Sequence, residues 1–132
     1  MCCVGDIILV NRYKDGDNII GRHSFIVIDD EGGEIQGLPY DFVANVLSSF
    51  KSDQQKQRKL SYDGNFPISH DDTVTNPHNT KDGYIKADQL YYFNKDKISY
   101  TVIGSIKEEI FNLLIEFLEE SDFDISEIID NL

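Results

Sequence analysis

Between Gly5 and Ile103 the apolar residues never form a long stripe; they come as short β-branched and aromatic runs, each stopped by a turn. GDIILV, SFIVID and DFVANVLSSF are the strongest runs, and Asp15-Gly16, Gly32-Gly33, Asp63-Gly64 and Asp82-Gly83 are turn pairs. Such a chain buries its apolar residues by pairing short strands. Residues 5–10 and 24–29 read as strands, with residues 34–36 as the hairpin partner of the second. Residues 41–50 fit a helical stripe capped by Asp41 and equally a strand buried on both faces; the short strands around them favour the strand. Residues 11–21 read as a polar loop and residues 51–59, KSDQQKQRK, as an exposed basic loop. Residues 60–62 and 66–69 read as two short strands, and residues 70–83 as a polar loop. Two further β-rich runs cover residues 84–93 and 98–103.

The period changes at Ser105. Ser105 and Glu108 have capping-box spacing. Ile106, Ile110, Leu113, Leu114, Phe117 and Leu118 recur at helical intervals, predicting an amphipathic helix over residues 105–120 with Glu109, Glu116, Glu119 and Glu120 facing out. Residues 121–132 predict a short second helix with Ile125, Ile128 and Ile129 on one face. A chain of 132 residues is long enough for one domain with its own core. The expected fold is mainly β: a small barrel of about five to seven short strands over residues 4–103, closed by the C-terminal helix and followed by an acidic segment, 121–132.

The net charge of −12 is unevenly spread: residues 105–132 hold nine acids and one base, against fifteen and eleven in residues 1–104. An acidic tail on a nearly balanced body does not exclude nucleic acid, which needs Lys and Arg locally. Cys2 and Cys3 are adjacent, so they form neither a disulfide framework nor a spaced zinc pattern, and no metal or cofactor is expected. His70 and His78 lie in the polar loop and read as solvated. The N-terminus lacks a signal peptide and no run is long enough to span a membrane, which leads to the expectation of a cytoplasmic protein.

Three pieces of the chain, in order, resemble a known family. GDIILV opens it and a polar loop follows; charged residues stand immediately before the strand FIVI; and DQLYYFNKDKISYTVIGSI precedes a helix. The chain is similar to the PemK/MazF family of toxin endoribonucleases from type II toxin–antitoxin systems, whose members carry a G-D strand, Arg-Pro before a V-V-V-I strand, a Thr or Ser after the next long strand, and an E-Q-I-R-T-like strand before a helix. The match covers most of the chain. Gly5 and Asp6 fall on the opening pair, and residues 25–28 on V-V-V-I. Ser24 then falls on the proline, His23 on the arginine and Arg22 one position earlier. Ser48 falls on the Thr/Ser and Asp88-Gln89 on E-Q. Tyr91 stands where the family has its second arginine.

The resemblance implies an SH3-like barrel, a homodimer, an antitoxin partner, and metal-independent, sequence-specific cleavage of single-stranded RNA by 2′-hydroxyl attack. That chemistry needs a base or acid and donors for the phosphorane. His23 suits proton transfer near neutral pH, Arg22 suits a bidentate grip on phosphate oxygens, and the Ser48 hydroxyl can donate to the same oxygens. Ser24, Ser49, Lys51, Lys56, Arg58, Gln89 and Tyr91 are the candidate RNA-contacting residues, Tyr91 because exposed aromatics stack bases. Alternation along the strand puts Arg22 and Ser24 on one face and His23 on the other. The competing expectation is a non-catalytic binding module that kept this fold and lost the nuclease site. The acidic segment is either a solvated cap or, in the manner of antitoxin tails, a cover for the basic groove.

Overall fold

The computed structural model describes residues 2–132. The first half of the chain gives β1 (Asp6–Val10), β2 (Tyr13–Asp15), β3 (Asn18–Ile20), β4 (His23–Asp29), β5 (Gly33–Ile35), β6 (Leu38–Tyr40) and β7 (Phe42–Ser49). Helix α1 (Asp53–Leu60) follows, then β8 (Asn65–Ile68), a 3-10 turn at His70–Asp72, β9 (Thr73–Thr75), β10 (Gly83–Lys86), β11 (Gln89–Phe93) and β12 (Tyr100–Ile106). Helix α2 (Glu108–Glu119) and β13 (Ser126–Ile128) complete the described residues. Nine strands form one curled sheet in the order β13-β11-β7-β4-β1-β12-β9, with β10 paired to β7 and β8. Every pairing in it is antiparallel except β11 with β13. The protein is thus mainly β, with more strands than the expected five to seven because several connections are themselves hairpins.

The sheet is buried on both faces at its centre. Phe25, Val27, Ala44, Val46, Ile8 and Val10 point to one side, where Phe25 is ringed edge-on by Tyr13, Tyr91 and Phe93 at centroid distances of 4.9–5.2 Å. Ile7, Ile26 and Ile85 point to the other side, under Leu114 of α2. This is why β4 and β7 read as nearly continuous apolar runs rather than alternating ones. The strand reading of residues 41–50 is correct for the same reason: Phe42 through Val46 are all buried.

Asn45 is the polar exception within that run, fully buried in mid-strand. It sits where the neighbour of β7 changes from β11, at residues 42–44, to β10, at residues 47–49. Lys86 and Gln89 flank the turn between those two strands, and the Asn45 amide donates to both of their carbonyls, at 3.2 and 2.8 Å, while its own Oδ1 is buried without a partner among the described residues. A side-chain amide thus bridges the two strands at the point where β7 changes neighbours.

Several local expectations are corrected. Residues 51–59 form α1 rather than a loop: the Ser52 hydroxyl accepts from Gln55 N–H, and the Gln55 side chain accepts from Lys51 N–H. Its six-residue core QQKQRK has no apolar stripe, so periodicity is blind to it. Residues 60–62 close that helix instead of forming a strand. Residues 34–36 do not pair with β4; β5 turns back on β6 through Gln36 (φ 50°) and Gly37 (φ 79°), a left-handed pair that suits a tight hairpin. Residues 11–21 are a hairpin too, and residues 73–75 of the expected loop form an edge strand on β12. Ser105 caps nothing, because it is held in β12 between Asp6 and Val74; α2 starts at Glu108 without a side-chain cap. Leu113 lies on the exposed side of α2 and not in its buried stripe.

The acidic segment is neither helix nor loose cover. β13 adds in parallel to β11, and Glu127 accepts from the Tyr92 hydroxyl at 2.6 Å. Asn131 grips Lys14 through both its backbone N–H (2.7 Å) and its carbonyl (3.0 Å), while Asp130 accepts from Gly16 N–H. The segment pins the β2–β3 hairpin against the aromatic core.

Replacing Asn45 with the similarly sized Leu strands the Lys86 and Gln89 carbonyls in an apolar setting. Asn45→Leu should lower the unfolding free energy by about 1–3 kcal/mol. Urea denaturation should show this as a reduced midpoint at unchanged slope. Unchanged stability would mean that the strand switch does not depend on this amide.

Candidate functional site

Pairing of β4 with β7 sets Ser24 opposite Leu47, so the next pair outward is His23 with Ser48. Their side chains meet: His23 Nε2 and Ser48 Oγ are 3.1 Å apart. His23 is half-buried, with its ring 6.3 Å from that of Phe25, and desolvation pushes its pKa below the ordinary histidine range. A neutral imidazole beside a hydroxyl is a group able to take a proton at neutral pH. Ser24 and His23 face opposite sides of the sheet, as alternation predicts, whereas Arg22 precedes the strand. Arg22 is exposed at the strand entrance, and its guanidinium makes no hydrogen bond or ion pair among the described residues.

Ser48 also borders the reverse face. Ser24, Ser48 and Ser49 line a cleft of about 390 Å³ floored by Leu9, Leu47 and Ile103 and roofed by residues 75–81. β10 passes so close here that a Cβ on Gly83 would overlap the Ser48 carbonyl oxygen; glycine is what lets the two backbones touch. No residue of α2 lines this cleft, so the helix leaves that end of the face open.

The other expected residues divide into two groups. Lys51 and Lys56 flank a shallow cleft with Phe50, Lys81 and Asp82. There Phe50 stacks on Tyr84, with Lys56 Nζ 5.6 Å from the Phe50 ring and Lys59 Nζ 5.9 Å from the Tyr84 ring. Arg58 is exposed on the same helix. Gln89 and Tyr91 lie away from this end, because β11 pairs with the opposite half of β7. Tyr91 is 1 % exposed and packed against Phe25, so it cannot stack a base. Sequence reasoning missed Lys81 and His78 at the cleft rim. The available signal was residues 73–81, TVTNPHNTK, an acid-free stretch in a strongly acidic chain.

His70 is not simply solvated, as the sequence suggested. Its backbone N–H and ring Nδ1 both meet Asp82 Oδ1, at 2.9 and 2.8 Å, and the Asp82 carbonyl accepts from Phe50 N–H. This clasp closes the 70–82 segment onto the end of β7. The bond to Asp82 raises the His70 pKa, while the bonds from His70 lower that of Asp82.

Among the described residues no three His, Cys, Asp or Glu side chains gather as a metal site, and no helix is long and apolar enough to cross a membrane. Cys2 is buried and Cys3 exposed, both as free thiols. No family model, curated protein or solved structure matches this chain.

The signs of the His70 and Asp82 shifts set a pH window for the clasp. The His70 contribution is complete below the ordinary histidine value and is lost as pH rises through the raised one. The Asp82 contribution is lost only as pH falls through its lowered value. His70→Ala should therefore lower the melting temperature at pH 6 and have a much smaller effect at pH 9. An equal loss at both would make His70 a packing residue and not a charged one.

Proposed function

We propose that this chain is a metal-independent endoribonuclease of the PemK/MazF-like kind, on a small SH3-like barrel, cutting single-stranded RNA as the toxin of a type II toxin–antitoxin pair. The observation that carries the reading is the His23–Ser48 hydrogen bond at the ends of β4 and β7, at the two positions that the family resemblance singles out for chemistry. With the proton on Nδ1, His23 Nε2 accepts the 2′-hydroxyl proton as O2′ attacks the neighbouring phosphorus. The phosphorus–O5′ bond breaks and O5′ takes a proton from water, leaving a 2′,3′-cyclic phosphate and a 5′-hydroxyl, while the His23 imidazolium returns its proton to solvent. Ser48 turns its hydroxyl to a non-bridging oxygen, and the uncommitted Arg22 supplies the fork for the same phosphate. Lys51, Lys56 and Lys81 track the backbone beyond it. A homodimer and an antitoxin covering this end of the sheet belong to the same proposal.

The second reading, a binding module without chemistry, draws on the burial of Tyr91 and on the chain having a histidine where the family has its arginine. Incubation of the protein with a long single-stranded RNA in EDTA separates the two. The nuclease reading expects discrete fragments with cyclic phosphate ends. His23→Ala should cost about 10²-fold or more and Ser48→Ala about 10²-fold. The acidic limb of the rate profile should fall below pH 6.5, the ordinary histidine value, because the base must be neutral and burial keeps it so at lower pH. Cleavage that survives the double substitution sinks the assignment, and bound but intact RNA favours the binding module.

A further inference from the structure

The cleft behind Ser48 differs from its neighbours in charge. The chain has 24 acids, yet none lines this cleft, whose only ionisable side chains are Lys81 and His78. Four other clefts each include acids: Asp130 in one, Asp53 and Asp82 in a second, Asp30, Glu31 and Asp41 in a third, and Asp63, Glu120 and Asp122 in a fourth. On so acidic a protein an RNA strand approaches most closely where bases outnumber carboxylates, and this cleft has no carboxylate at all.

The lining has the composition of a small-ligand pocket. Leu9, Leu47 and Ile103 give an apolar floor, and the volume of about 390 Å³ lies within the range of ligand sites. The hydroxyls of Ser24 and Ser49 have no hydrogen-bond partner among the described residues. The roof is held in shape by its own bonds: Asn79 N–H donates to Thr75 Oγ1 at 2.7 Å, Asn79 and Lys81 bond each other reciprocally, and Asn76 N–H donates to Ile103 O. The space is therefore preformed. Ser48 connects it to His23, since it lines the cleft and its hydroxyl meets the His23 ring.

We infer that this cleft seats one base of an RNA chain that passes round the ends of β4 and β7 from the phosphate at His23 and Ser48, and that it selects which sequence is cut. The base lies flat on the leucine and isoleucine floor, its edge meets the free serine hydroxyls, and Lys81 takes the adjoining phosphate. This inference rests on the nuclease reading, but its test does not require cleavage.

The four nucleoside 3′-monophosphates and, separately, inorganic phosphate are titrated at millimolar concentration into the full chain. Methyl NMR follows Ile7, Leu9, Leu47 and Ile103. Nucleotides should shift these methyls, one or two bases more strongly than the rest, while inorganic phosphate should not. Ser49→Phe, at an exposed strand end, and Thr80→Phe, in the roof, fill the space from opposite sides, and each should weaken the shifts by about tenfold or more. One folded variant of the two is enough. In an active protein Thr80→Phe should change the fragment pattern more than the total rate. No methyl shift with any nucleotide, or shifts that inorganic phosphate reproduces, would overturn the inference even if RNA is cut. Nucleotide-induced shifts in a protein that leaves RNA intact would keep the base site and remove the nuclease reading.

Discussion

The pairing of β4 with β7 is the constraint on which the rest depends. These two strands form the middle of the sheet and are buried on both faces, so a one-residue slip would invert two apolar sets at once, putting Phe25 and Val27 where Ile26 now packs. The register that both cores demand is the one that sets His23 opposite Ser48. The site thus needs no special loop to assemble it; it is the last rung of a ladder fixed by hydrophobic burial further in. Phe25 alone, fully buried among Tyr13, Tyr91 and Phe93, accounts for about 1.5–3 kcal/mol of that fixing.

Around that rung the chain spends its polar groups on holding edges. Asn45 bridges β10 and β11 where β7 changes neighbours, and Gly83 lets β10 press on Ser48. His70 and Asp82 fasten the 70–82 segment beside it. On the other side the acidic tail fixes the β2–β3 hairpin through Asn131 and Asp130. None of the nine acids of residues 105–132 lines the clefts at the end of β7. The outcome is a local acid-poor surface on a protein that is acidic as a whole, the electrostatic condition for meeting an anion.

The central strands were legible because burial on both faces leaves unbroken runs of Ile, Val and Phe, and β1, β4 and β7 are such runs. The pairing of His23 with Ser48 was legible only through the family resemblance, since no spacing in the sequence reports which strands neighbour each other. What failed did so for physical reasons. α1 is polar all round, so its existence rests on the Ser52 and Gln55 bonds and not on a stripe. Ser105 matched a capping box locally, but β1 and β9 compete for the same backbone from both sides and win. Ile125, Ile128 and Ile129 have helical spacing, yet only Ile128 is buried, because the open edge of β11 offers a ladder that a twelve-residue segment with four acids cannot match as an isolated helix. Tyr91 looked like a base platform because alternation predicts one exposed face on β11; the β2–β3 hairpin and the tail cover that face instead.

Proton transfer at the proposed site depends on the state of one ring. Its most direct test is nitrogen-15 NMR of His23 in the intact protein at neutral pH. A neutral imidazole with its proton on Nδ1 and a bare Nε2 accepting from the Ser48 hydroxyl is the predicted result. A cationic ring at that pH, or a proton resident on Nε2, would leave the pair with no base to offer an incoming 2′-hydroxyl and would contradict the account.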